Sequence, residues 1–119
     1  MTSPAQLDPK MTTMCRCGDA EVFVDSEMMA GAYAVHLTVH KARASGPGYT
    51  VTHRPSGYAI WHVREFGAAV RIAQWLDENL KLPEKYEMVW QWKQQMSAVE
   101  RGHLVGALTA IAPREWVIE

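Results

Sequence analysis

Residues Tyr49–Val63, YTVTHRPSGYAIWHV, constrain this chain more than any other stretch, because they read as a β-hairpin with a definite register. Pro55 fixes φ for the first corner of a type I turn, Ser56 suits the second, and Gly57 takes the left-handed conformation that completes a bulged hairpin. That turn pairs Arg54 with Tyr58, His53 with Ala59, Thr52 with Ile60, Val51 with Trp61, Thr50 with His62 and Tyr49 with Val63. Opposed residues share a face. Tyr49, Val51, His53, Ala59, Trp61 and Val63 then form an apolar face, and Thr50, Thr52, Arg54, Tyr58, Ile60 and His62 a mostly polar one. A slip of one residue would turn both sets over, so the separation supports the register.

Ala34–Ala42 (AVHLTVHKA) alternates in the same way, with Val35, Leu37 and Val39 on one side and His36, Thr38 and His40 on the other. The short ASGPG link, Ala44–Gly48, suits neighbouring antiparallel strands. With the apolar sides inward, His36, Thr38, His40, Thr50, Thr52, Tyr58 and His62 share one open face, with Arg54 at the turn.

Before this core, Met1–Thr13 has two prolines and no periodic pattern and reads as a tail; residues 1–19 are expected to be flexible and 20–119 to form one domain. Glu21–Asp25 is a short strand, with Val22 and Val24 opposite Phe23, and SEMMAGA fits either a helical turn or a loop. After the hairpin the period changes: Phe66, Ala69, Val70, Ala73, Leu76 and Leu80 recur at helical spacing between Glu65 and Leu82. Pro83 stops that helix and starts the next, which runs from Glu84 to about Glu100. Gly102 is expected to interrupt it, leaving His103–Ile111 as a last helix with Leu104, Leu108 and Ile111 inward. Glu115–Ile118 reads as a closing strand. Strands followed by helices give an α+β class: an antiparallel sheet of about four strands with two to three helices on one face.

The 119 residues are 48% apolar, enough for one core. Thirteen acidic against 12 basic residues, a net charge of −1, lack the basic imprint of a dedicated nucleic-acid-binding domain but allow a local basic patch. No apolar run is long enough to span a bilayer and the N-terminus lacks the layout of a signal peptide, so a cytoplasmic location and no membrane partner are expected.

Cys15, Cys17, His36 and His40 are of zinc-ligand type, yet C-x-C is tighter than common structural spacings, and Cys15 and Cys17 stay weak metal candidates. His36 and His40 lie about 13 Å apart along a strand and cannot share an ion. His53, at the rim of the apolar face, reads as a hydrogen-bonded, half-buried histidine; a catalytic base would need a nucleophile, and no Ser or Cys motif presents one. No cofactor or enzymatic activity is expected. Of five tryptophans, Trp61 belongs to the core, whereas an exposed Trp75 or Trp92 would offer a second contact site.

THRPSGYAIWHV followed by REFGAAVRIAQWL resembles the compact ββα units of small phage and plasmid proteins. The resemblance is one of architecture and carries no functional motif. The expectation is a non-enzymatic protein-binding module that blocks a macromolecular partner; in a phage or mobile element, an anti-CRISPR type of host-defence inhibitor fits. A nucleic-acid-binding accessory protein using the open face is the alternative, and a small metal-dependent enzyme the second. Homo-oligomerisation is compatible with either binding reading.

Overall fold

The computed structural model describes residues 12–17, 20–38 and 48–114. Six strands precede three helices: β1 (Thr12–Cys17), β2 (Ala20–Asp25), β3 (Met28–Ala30), β4 (Tyr33–Leu37), β5 (Tyr49–His53), β6 (Tyr58–Val63), α1 (Phe66–Asn79), α2 (Tyr86–Gln95) and α3 (Ala98–Ile111). β1 and β2 form an antiparallel pair of their own, and β3-β4-β5-β6 form an antiparallel sheet in sequence order. The α+β class with helices against a four-stranded sheet is as the sequence implies. His40 and Glu115–Ile118 lie outside the described residues.

One sheet face and α1 make the core. Tyr33, Val35, Val51, Trp61 and Val63 meet Ala68, Ala69, Ile72, Ala73 and Leu76, with Leu108 and Ala112 closing one end. Three alanines on the buried stripe let the helix backbone approach the sheet closely. The stripe is rotated from the expected one: Ala68 and Ile72 are buried, whereas Phe66 stays partly exposed and packs edge-on against Tyr49, ring centroids 5.3 Å apart. Trp61 sits in the core as expected, and its indole N–H donates to the Ala112 carbonyl at 2.9 Å. That bond ties the sheet to the end of α3 while satisfying a buried donor.

The SEMMAGA segment is a strand and a tight turn. Ala30 pairs with Tyr33, leaving Gly31–Ala32 as a two-residue turn with Gly31 at φ 59°. A glycine in that first position is the requirement of a type II′ hairpin.

Three further expectations are corrected. Thr12–Cys17, read as part of a tail spanning 1–19, is strand β1, in register with β2 from Thr12↔Asp25 to Cys17↔Ala20. The second break among the helices falls at Met96–Ser97 rather than Gly102, and α3 runs through both Gly102 and Gly106. Ser97 and Glu100 form a reciprocal capping box there, Ser97 Oγ accepting from the Glu100 N–H and the Glu100 carboxylate from the Ser97 N–H. Two orphan donors are satisfied at once, which sets the start of α3.

The third correction concerns register. Tyr49↔Val63, Thr50↔His62 and Val51↔Trp61 pair as expected, but the next pairs are Thr52↔Ala59 and His53↔Tyr58, so Ile60 is bulged out. The turn is correspondingly Arg54–Gly57, with Gly57 at φ 78°. Its hydrogen bonds explain the shift. The Arg54 N–H donates to the Ala32 carbonyl at 2.7 Å instead of facing Tyr58, and the Gly57 N–H donates to the His53 carbonyl at 2.8 Å. Ser56 Oγ accepts from the Tyr58 N–H at 3.1 Å and bonds His53 Nδ1 at 2.7 Å. The bulge carries Tyr58 to the helical side of the sheet, where its ring lies 5.7 Å from that of Tyr86.

Candidate binding groove beside the edge strand

The polar sheet face expected to be open is covered. His36, Thr38, Thr50 and Thr52 are all buried, His36 and Thr52 completely, and His62 is half-buried. The β1–β2 pair contributes the cover near the turn. The Arg16 N–H donates to the Gly57 carbonyl at 2.9 Å, and the Arg54 guanidinium donates to the Thr12 carbonyl at 3.0 Å. Cys15 is buried with its Sγ 3.9 Å from Thr52 Oγ1, and Thr13 is hydrogen-bonded to Ser26. The alternation holds for His36, Thr50, Thr52 and His62, but Tyr58 leaves that face through the bulge and the face itself is covered. A threonine–histidine face satisfies itself by hydrogen bonds and need not meet water.

Those bonds fix the chemistry of the histidines. His36 Nδ1 donates to the Leu37 carbonyl at 2.7 Å, so Nε2 of the neutral ring accepts from the Thr52 hydroxyl, also at 2.7 Å. Burial holds the His36 pKa below the usual imidazole value, opposed by the Leu37 bond. His62 Nδ1 bonds Thr50 Oγ1 at 2.8 Å, and Thr50 in turn bonds Thr38 at 3.0 Å. Burial, with Arg114 and His36 nearby, pushes the His62 pKa down to about 4. His53 is hydrogen-bonded as expected but fully rather than half-buried; burial lowers its pKa against the pull of Glu84. Neutral, locked rings of this kind hold a layer together. Among the described residues, no three His, Cys, Asp or Glu side chains converge as a metal-ligand set.

An apolar recess lies on the other side of the sheet. β6 is one of the two edge strands, and between it and the helices lies a cavity of about 210 Å³. Ile60, Leu82, Val89, Trp92, Leu104 and Leu108 make its apolar wall, and the bulge is what brings Tyr58 to its margin. Lys93, Arg101 and Arg114 also line it, and among the described residues no Asp or Glu does. The cations are held in place by the fold. Lys93 Nζ stands 5.5 Å from the Tyr58 ring centroid, Arg101 Nη2 donates to the Lys93 carbonyl at 3.0 Å, and the Arg114 guanidinium lies 5.6 Å from the Trp61 ring centroid. Burial lowers the pKa of Arg114, opposed by Tyr58. Outside the cavity, Trp90 is 51% exposed and Val105, on its lip, 43%.

The structure thus gathers Tyr58 and Trp92 at the groove. His36, Thr38, Thr50, Thr52, His62 and Arg54 lie in or beside the covered layer, and Trp75 is half-buried against the core. Lys93, Arg101 and Arg114 escape sequence reasoning because a break at Gly102 leaves Arg101 on the same helix as Lys93, whereas the break at Met96–Ser97 puts them on two helices that converge at the groove. The S-x-x-E pattern at Ser97–Glu100 was the signal that would have divided them.

Comparison of the chain with protein-family models, with curated proteins and with solved structures finds no match. Among the described residues, no helix is long and apolar enough to cross a membrane.

Proposed function

We propose that this chain is a non-enzymatic binding module that acts by occupying a protein partner, and that the groove between β6, α2 and α3 is its recognition surface. The observation that carries this reading is the size and lining of the cavity. At about 210 Å³ it falls short of the roughly 300–1,000 Å³ that sites for whole small ligands and cofactors occupy. It exceeds the roughly 150 Å³ apolar cavity that accepts benzene, so one large side chain fits. Apolar anchors seated in such pockets supply most of the affinity of protein interfaces, and the exposed Val105 adds apolar area at the mouth. In a phage or mobile element, an anti-CRISPR-like inhibitor is a form that this reading would take.

A nucleic-acid reading has one observation in its favour: Lys93, Arg101 and Arg114 stand beside Tyr58 and Trp92, and cations with aromatic faces bind single strands. One experiment separates the two. The tagged chain and its Val105→Glu variant are used as baits in host lysate with and without nuclease. Val105 is exposed, so circular dichroism is expected to show the variant folded. A stoichiometric protein captured after nuclease treatment by the natural chain and lost by the variant supports the groove. Capture unaffected by the variant, or an empty bait, overturns it, and capture abolished by nuclease favours nucleic acid.

A further inference from the structure

The charge of the groove says more about its occupant than its shape does. The chain as a whole carries a net charge of −1, yet among the described residues every charged residue lining this cavity is a cation. Among the described residues neither Lys93 nor Arg101 has a carboxylate partner: Lys93 rests over the Tyr58 ring and Arg101 on the Lys93 carbonyl. Both are exposed, one at the end of α2 and the other in the first turns of α3, so the 3.0 Å bond between them brings two positive rims to one side of an apolar hole. Arg114 adds a third cation beside Trp61. Exposed rim charges contribute little to stability. They select partners and speed their arrival.

We propose that the groove takes an acidic segment of a protein partner, with one large aromatic or aliphatic side chain entering the cavity and flanking Asp or Glu carboxylates meeting Lys93 and Arg101. This rests on the protein-binding reading above and adds the chemistry of the partner to it. The anchor supplies affinity through burial among Ile60, Leu82, Val89, Leu104 and Leu108. The carboxylates supply selection, because a basic segment would meet like charge at every point of the rim.

The test is a selection from a display library of random peptides of about twelve residues, run against the natural chain and against the Lys93→Glu/Arg101→Glu double variant. Both positions are exposed, and circular dichroism verifies that the variant is folded; Lys93→Gln/Arg101→Gln is the substitute if it is not. The natural chain is expected to enrich peptides in which Asp or Glu flank a Trp, Phe or Leu. Their affinity should fall by about tenfold or more in the double variant and on raising salt from about 50 to about 300 mM. The charge-reversed variant is expected to enrich basic peptides with the same kind of anchor, an inversion that loss of structure would not produce. Enrichment of neutral or basic peptides by the natural chain, with binding lost in Val105→Glu, overturns the acidic partner and leaves the groove standing. Peptides that bind Val105→Glu equally well, or no enrichment at all, overturn the groove itself.

Discussion

The two faces of the four-stranded sheet are closed by different physics. Towards α1 the face is Tyr33, Val35, Val51, Trp61 and Val63, sealed by apolar burial against Ile72, Leu76 and three alanines. On the other side Thr50, Thr52, His36 and His62 bond to one another, partly beneath a separate two-stranded pair. The first closure is non-directional and gains with area. The second depends on individual bonds, where each satisfied group contributes modestly and each orphaned one costs more. Polar alternation along a strand therefore marks a face that must be satisfied, and solvent is only one way of satisfying it.

The contrast can be broken most strongly from the apolar side. Leu76→Ala empties a fully buried site and is expected to cost about 2–5 kcal/mol in urea unfolding. Thr52→Val keeps the volume of the polar layer but leaves His36 Nε2 without its donor, at an expected cost of about 1–3 kcal/mol. A loss as large as that for Leu76→Ala would show that the polar layer is no weaker a closure than the core.

Acid distinguishes the faces without mutation. The His36 and His62 pKa values are lowered in the folded chain, so the unfolded chain binds more protons between its own imidazole range, near 6.5, and the folded value of about 4 for His62. Stability is then fully present above about pH 6.5 and falls as pH drops towards 4. Urea unfolding at stepped pH should show that slope, and His62→Gln should reduce it by up to about 1.4 kcal/mol per pH unit. An unchanged slope would remove His62 from the layer. The smallest effect is a control outside both faces: Gly106→Ala, in α3 with open space where its Cβ would go, is expected to stabilise by about 0.5–1 kcal/mol. A destabilisation would mean that α3 packs where the structure leaves it open.

Much of this molecule was legible in its residues because the governing interactions are local or periodic. Pro55, Ser56 and Gly57 announce a turn, alternation sorts Val51 and Trp61 from Thr50 and His62, and a repeating apolar stripe gives α1. What stayed hidden depends on contacts distant in sequence. Thr13 and Cys15 alternate as an inward-facing strand should, but TTMCRC is too short and polar to declare a partner, and the layer it covers looks identical to an exposed one. The bulge at Ile60 is set by the Arg54 N–H reaching Ala32, a bond between two turns that no local pattern encodes. The groove inherits both difficulties, since its cations come from two helices and the residue beyond them.

The bulge also links chain length to recognition. Ile60 is the residue that lets the two halves of β6 serve different layers, with Trp61 and Val63 in the core and Tyr58 at the groove. Deleting it would leave an uninterrupted ladder from Tyr49↔Val63 to His53↔Tyr58, keep Tyr58 opposite His53, and remove one apolar side chain from the wall of the groove in a single step. A lineage carrying this fold would then have an indel, as well as substitutions, as a route to reshaping the recess at the sheet edge without disturbing the strand register.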